Sequence, residues 1–146
     1  MSIYQEINII DDFEERFGNC KSIKRACECL VSYISGLQRP LPEIAAQGLR
    51  VAVKYKEGSA LPGELEIARK QIVDFLKARH AMYKEQAYPM EHAVWGILQV
   101  YRDLCYDVES GAASEFVSST LGCIENFDSN YELLRALLKE TFVYRA

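Results

Sequence analysis

Apolar residues recur along this chain at intervals of three and four, the period that gathers side chains on one side of an α-helix. Ser2 and Gln5 form a capping-box pair ahead of Ile3, Ile7, Ile10, Phe13 and Phe17, which predicts a helix over 3–17 ending at Gly18. A second opens at Asn19 or Cys20, with Ile23, Ala26, Cys27, Leu30, Val31, Ile34 and Leu37 on one face and Gly36 near its end. Pro42 suits the first turn of a third, which runs to Glu57, buries Ile44, Ala45, Leu49, Ala52 and Val53, and is stopped by Gly58. After a loop containing Pro62, a fourth extends from Glu64 to about Gln86 on Leu65, Ala68, Ile72, Phe75, Leu76, Met82 and Tyr83.

The stretch Glu91–Ser110 has a different pattern. Ala93, Val94, Trp95, Ile97, Leu98, Val100, Tyr101, Leu104, Cys105, Tyr106 and Val108 cover most of a helical cylinder. His92, Gly96, Gln99, Asp103, Asp107 and Ser110 fall on the one remaining polar stripe. A helix apolar on most sides is the one the others pack against. Beyond Gly111, Phe116, Val117, Thr120, Leu121 and Ile124 mark a sixth helix. Ser129 and Glu132 cap a last one carrying Leu134, Leu137, Leu138 and Phe142.

No alternating run lacks a better helical reading, and the connections are short. The expected architecture is therefore all-α: one domain over residues 1–146, a bundle of about seven helices in stacked antiparallel hairpins. No residue pattern recurs at a fixed period, which speaks against a helical repeat array.

Composition adds bounds to this picture. With 146 residues, 49% of them hydrophobic, the chain can bury a core without disulfides or metals. Met1–Asp12 lacks the basic and apolar regions of a signal peptide, and no run approaches the roughly 20 apolar residues of a membrane span. Cys20, Cys27, Cys29, Cys105 and Cys123 are odd in number and irregular in spacing, matching neither a disulfide framework nor a zinc pattern. Reduced thiols and a cytoplasmic location are the expectation.

Charge changes the picture more. Residues 1–102 carry 14 basic and 13 acidic side chains, against 3 basic and 8 acidic in 103–146. Between Asp103 and Leu134 there is no basic residue, while Asp103, Asp107, Glu109, Glu115, Glu125, Asp128 and Glu132 give a local balance of −7. Such a segment repels nucleic acid and attracts a basic protein.

Candidate chemistry is sparse. Asp11, Asp12 and Glu15 form a DDxxE string, but no second metal motif accompanies it, and a charged outer helix face is the simpler reading. Neither histidine has a Glu three residues before it, as a dinuclear metal bundle requires. His80 and His92, with Glu91 or Glu85, could form an acid/base pair across the turn near Tyr88. Ordinary, partly exposed histidines are the plainer alternative. Ser118, Ser119 and Thr120 have no base at a recognisable spacing. Tyr4, Tyr55, Tyr106 and Tyr144 fall at or beyond the edges of apolar stripes, where amphipathic rings serve partner interfaces. No cofactor or metal is expected.

One resemblance emerges between Arg39 and Tyr101. Arg39 and Pro40 precede a helix closing on Val53, Lys54, Tyr55, Lys56, Glu57 and Gly58, and after a short loop Glu66, Ile67, Ala68 and Arg69 open a long helix, followed by Ala93 to Tyr101. This order resembles the all-helical immunity-protein-five-like group of bacterial polymorphic toxin systems, in which an aromatic and a glycine close one helix and an Ala-Arg pair begins the next. The resemblance implies a helical protein that neutralises a cognate toxin.

Taken with the charge distribution, it leads to the expectation of a binding protein that occludes a basic toxin through an acidic face. Asp103, Asp107, Glu109 and Glu115 would supply electrostatic contacts and Tyr106 an anchor. Two alternatives stay open: a small helical enzyme or ligand-binding protein using His80, His92 and Glu91, and a helical adaptor, monomeric or homodimeric, without chemistry.

Overall fold

The computed structural model describes residues 20–37, 40–84, 86–105, 119–120, 122–124, 134 and 136. Four helices lie within them: α1 (Cys20–Ser35), α2 (Glu43–Lys56), α3 (Pro62–Ala78) and α4 (Pro89–Cys105). The described residues of 119–136 are also helical, and no strand occurs among the described residues. The helix expected over 3–17 lies outside them, as does most of the chain beyond Cys105. The full count of about seven and the stacking of hairpins extend over those segments.

Helix α4 touches each of the other three, and α1 touches α2 as α2 touches α3. Every residue from Glu91 to Tyr101 is buried except Trp95, which is partly so. Ala93, Val94, Ile97, Leu98, Val100 and Tyr101 form the middle of a core completed by Leu30 and Ile34 of α1, Leu49 and Ala52 of α2, and Leu65, Ile72 and Leu76 of α3. Thr120, Ile124 and Leu134 are buried as well. Burying a side chain such as Ile97 or Leu98 contributes about 1.5–3 kcal/mol, so α4, packed against all three other helices, is a major source of core stabilisation.

Helices α2, α3 and α4 come together at Gly48. A Cβ on that residue would lie 2.8 Å from Val94 Cγ1, 2.9 Å from Ile72 Cδ1 and 3.3 Å from Leu98 Cδ1. The missing side chain thus lets α2 sit directly against α3 and α4.

Helix ends follow local chemistry. Pro42 stands at the N-cap of α2, with φ −53° and ψ 146°, one position before the first turn expected for it. Its carbonyl accepts the first helical bond, from the Ala46 amide at 2.9 Å. Gly58, at φ +81°, closes α2: the Ser59 amide returns to the Lys54 carbonyl at 2.8 Å and the Gly58 amide to Tyr55 at 3.0 Å. This is a Schellman cap, in which a left-handed residue satisfies the last orphan carbonyls. Pro62 occupies the first turn of α3, as its fixed φ favours.

The end of α3 departs from expectation. The apolar pattern carries a helix to about Gln86, whereas α3 stops at Ala78. A second Schellman cap terminates it, with His80 in the left-handed position at φ +52°, the Ala81 amide bonded to Leu76 at 2.8 Å and the His80 amide to Lys77 at 3.0 Å. Met82 is therefore packed from a turn, and Tyr83, expected inside, is 92% exposed. Tertiary contacts override the local pattern here, because Ala81 is fully buried and its carbonyl contacts His92.

Candidate functional site

Helical spacing puts Gln99, Arg102 and Asp103 within one turn of α4, and Glu66 with Arg69 within one turn of α3. Where the two helices meet, these five residues form one seam. The carboxylate of Glu66 accepts two bonds from Arg69, from NH2 at 2.7 Å and from Nε at 3.1 Å. Arg102 Nε stands 2.6 Å from Glu66 Oε2 as an ion pair, although its N–H is not aligned for a hydrogen bond. Arg69 NH1 donates to the Gln99 side-chain Oε1 at 3.4 Å, and Gln99 Nε2 donates to Asp103 Oδ1 at 2.9 Å. Arg102 NH1 closes the ring on Asp103 Oδ1 at 3.9 Å.

Two carboxylates face two guanidiniums, so the seam is electrically balanced. The Arg69 hydrogen bond holds the Glu66 carboxyl below its ordinary range against the opposing effect of desolvation, with the charges of Arg69, Arg102 and Lys70 assisting. The same bond raises Arg69 further. Polar groups taken from water at a helix interface must be paired, and this arrangement pairs Gln99 and Asp103 where α4 would otherwise bury them unsatisfied.

That geometry bears on the polar stripe anticipated along α4. His92, Gln99 and Asp103 are all buried, so within the described residues the stripe faces other helices instead of forming an open surface. Asp103, expected to contact a partner directly, is only 6% exposed and is engaged inside the seam. Tyr106, Asp107, Glu109 and Glu115, the other expected contacts, lie outside the described residues, as does the DDxxE string.

The histidines occupy different environments. His92 is buried in the first turn of α4, with Nε2 2.9 Å from the Ala81 carbonyl and its ring edge-on to Trp95 at 6.4 Å. Donating from Nε2, it latches the connection between α3 and α4. His80 is exposed on that connection, at the left-handed cap. Glu91 is buried beside His92 in sequence, in the first helical turn where a carboxylate complements the helix dipole. Among the described residues no group of three or more His, Cys, Asp or Glu side chains could hold a metal ion.

At the other side of α4, Tyr101 packs on Tyr55 with ring centroids 4.9 Å apart at 56°. Tyr55 is thus half-buried against the core. The Tyr101 hydroxyl is sealed beside the Cys27 thiol without a well-formed hydrogen bond, and Cys27 Sγ points to the Ile97 carbonyl at 3.8 Å. Burial, the largest effect, pushes both groups well up, which keeps them neutral. Cys27, Cys29 and Cys123 are buried thiols outside any disulfide.

The surface feature that periodicity did not reveal is on α2. A depression of about 390 Å³ lies between α1 and α2, lined by Ser35, Leu49, Arg50, Val53 and Lys54. A smaller one, about 210 Å³, lies between α2 and α3 and includes Val51, Lys54, Glu64 and Ile67. Ile67 is 63% exposed and Leu61 71% exposed.

No described helix is long and apolar enough to cross a membrane. The chain matches no protein-family model, no curated protein and no solved structure.

Proposed function

We propose that this chain is a protein-binding module that neutralises a basic partner, of the cytoplasmic immunity-protein kind, and that it acts by occlusion without chemistry of its own. The observation that carries the reading is the run from Asp103 to Leu134, with seven acids and no base. An acidic segment of that density speeds encounter with a basic protein and disfavours nucleic acid. The resemblance between Arg39 and Tyr101 supports the same assignment.

The seam refines which residues carry contact. Asp103 acts as the internal support of the acidic segment, since its carboxylate is committed to Gln99 and lies near Arg102. Asp107, Glu109 and Glu115 are then the electrostatic contacts and Tyr106 the anchor.

The enzymatic alternative draws less support. His92 Nε2 is occupied by a backbone carbonyl in a buried site, which opposes the free imidazole that proton transfer needs. Neither depression on α2 is lined by His80, His92 or Glu91.

Co-expression provides the test. If the adjacent reading frame encodes a toxin with a basic C-terminal domain, the two should co-purify and the chain should protect cells from that domain. A neighbouring frame of metabolic function, or a toxin that neither binds nor is neutralised, would sink the proposal.

A further inference from the structure

The geometry points to a second docking surface, independent of the acidic segment: the groove between α1 and α2, fitted to an acidic amphipathic helix of a partner protein. Leu49 and Val53, four residues apart on α2, supply its apolar wall, and Ser35 at the end of α1 borders it. Arg50 and Lys54, also four residues apart, line the same groove and are both exposed. Apolar and cationic residues therefore run in parallel along one helix at the same repeat.

That pairing selects the occupant. A helix laid along the groove presents side chains at intervals of three and four, so one of its faces can place apolar residues on Leu49 and Val53 while carboxylates one turn apart meet Arg50 and Lys54. Arg50 has one described ion pair, with Glu43 at 3.6 Å, and both side chains are largely exposed, at 63% and 77%. So loose a pair yields readily to a partner's carboxylate. Lys56, the next cation along α2, is instead turned to Ser32 of α1 at 2.8 Å, which ties the two helices together beside the groove.

The α2–α3 depression is a poorer fit for the same ligand, because Glu64 on its rim would repel a carboxylate. It serves as the internal control.

The probe is a pair of synthetic helical peptides with the same leucine stripe, one flanked by glutamates one turn apart and the other by lysines. Binding is followed by amide chemical-shift changes and by fluorescence anisotropy. The acidic peptide is expected to bind with shifts centred on Leu49, Arg50 and Val53, since Lys54 borders both depressions, and R50E/K54E should weaken it by about tenfold while improving the lysine peptide. I67S, on the control side, should leave affinity unchanged. R50Q/K54Q repeats the test without added repulsion toward Glu43 and should weaken the acidic peptide as well. Failure of the acidic peptide to bind, equal binding of both peptides, or shifts centred on Ile67 and Glu64 would overturn the assignment, whatever the fate of the toxin experiment.

Discussion

Gly48→Ala adds a single methyl group at the meeting point of α2, α3 and α4. The new Cβ would meet Ile72 Cδ1 at 2.9 Å and Leu98 Cδ1 at 3.3 Å, both at the ends of side chains that can turn aside. Val94 Cγ1, at 2.8 Å, cannot do so easily, because a β-branched residue in a helix has essentially one χ1 rotamer. Overpacking of this kind costs about 1–3 kcal/mol. Removing a glycine from a helix interior returns about 1 kcal/mol. The net expectation is a loss of about 1 kcal/mol, read as a lower urea midpoint at unchanged slope. Val94→Ala should cost about 1 kcal/mol less in the Gly48→Ala background than in the wild type, a favourable coupling in the double-mutant cycle. Gly63→Ala, where nothing lies within 4 Å of the added Cβ, is the reference substitution and should be neutral to stabilising. A Gly48→Ala protein as stable as the Gly63→Ala protein, with no coupling to Val94, would refute this packing of the three helices.

Further predictions concern caps, the seam and the buried thiol. His80→Gly should stabilise the protein by about 0.5–1 kcal/mol in thermal or urea unfolding, since glycine accepts the left-handed conformation that His80 is held in. Gly58→Ala should cost a similar amount, about 1 kcal/mol, for the converse reason. Glu66→Gln breaks the paired contact with Arg69 and, at 37% side-chain exposure, should cost only about 0.5–1 kcal/mol near neutral pH. Because the folded Glu66 carboxyl is held below its ordinary value near 4.5, its contribution is present above that pH and fades as pH falls through the lower folded value. The stability difference between wild type and Glu66→Gln should shrink over that acid range. Cys27, raised by burial, should resist alkylation at pH 8 in the native protein and react on unfolding, as mass spectrometry of the labelled peptide would show. Labelling of native Cys27 at the rate of an exposed thiol would contradict its placement.

Much of this fold was legible in residue spacing, and the exceptions have identifiable causes. The end of α1 before Gly36 and the stop of α2 at Gly58 follow from punctuation that acts locally. The dominance of α4 was visible because too many of its positions are apolar for one face. The end of α3 was not visible, because its cap uses His80, a residue that seldom adopts a left-handed conformation, and depends on Ala81 being held by the rest of the fold. Site residues were harder to read for a similar reason. Periodicity shows that His92, Gln99 and Asp103 share a stripe, but not that α3 offers Arg69 to that stripe through Gln99. A partial signal was present in Glu66 and Arg69 at i, i+3, the spacing at which opposite charges pair on one helix face. The groove on α2 escaped notice because Arg50 and Lys54 look like ordinary solvated residues until α1 is placed beside them.

We propose that the acidic segment beyond α4 binds a basic partner through Asp107, Glu109 and Glu115, with Asp103 as internal support. The most direct test is the association rate with the cognate toxin at low and at physiological salt, for the wild type, for D107N/E109Q/E115Q and for D103N. The expected result is fast, strongly salt-dependent association for the wild type, a drop of about tenfold or more in rate with loss of salt dependence for the triple variant, and an unchanged rate for D103N. Association of the triple variant at the wild-type rate under both conditions would contradict it.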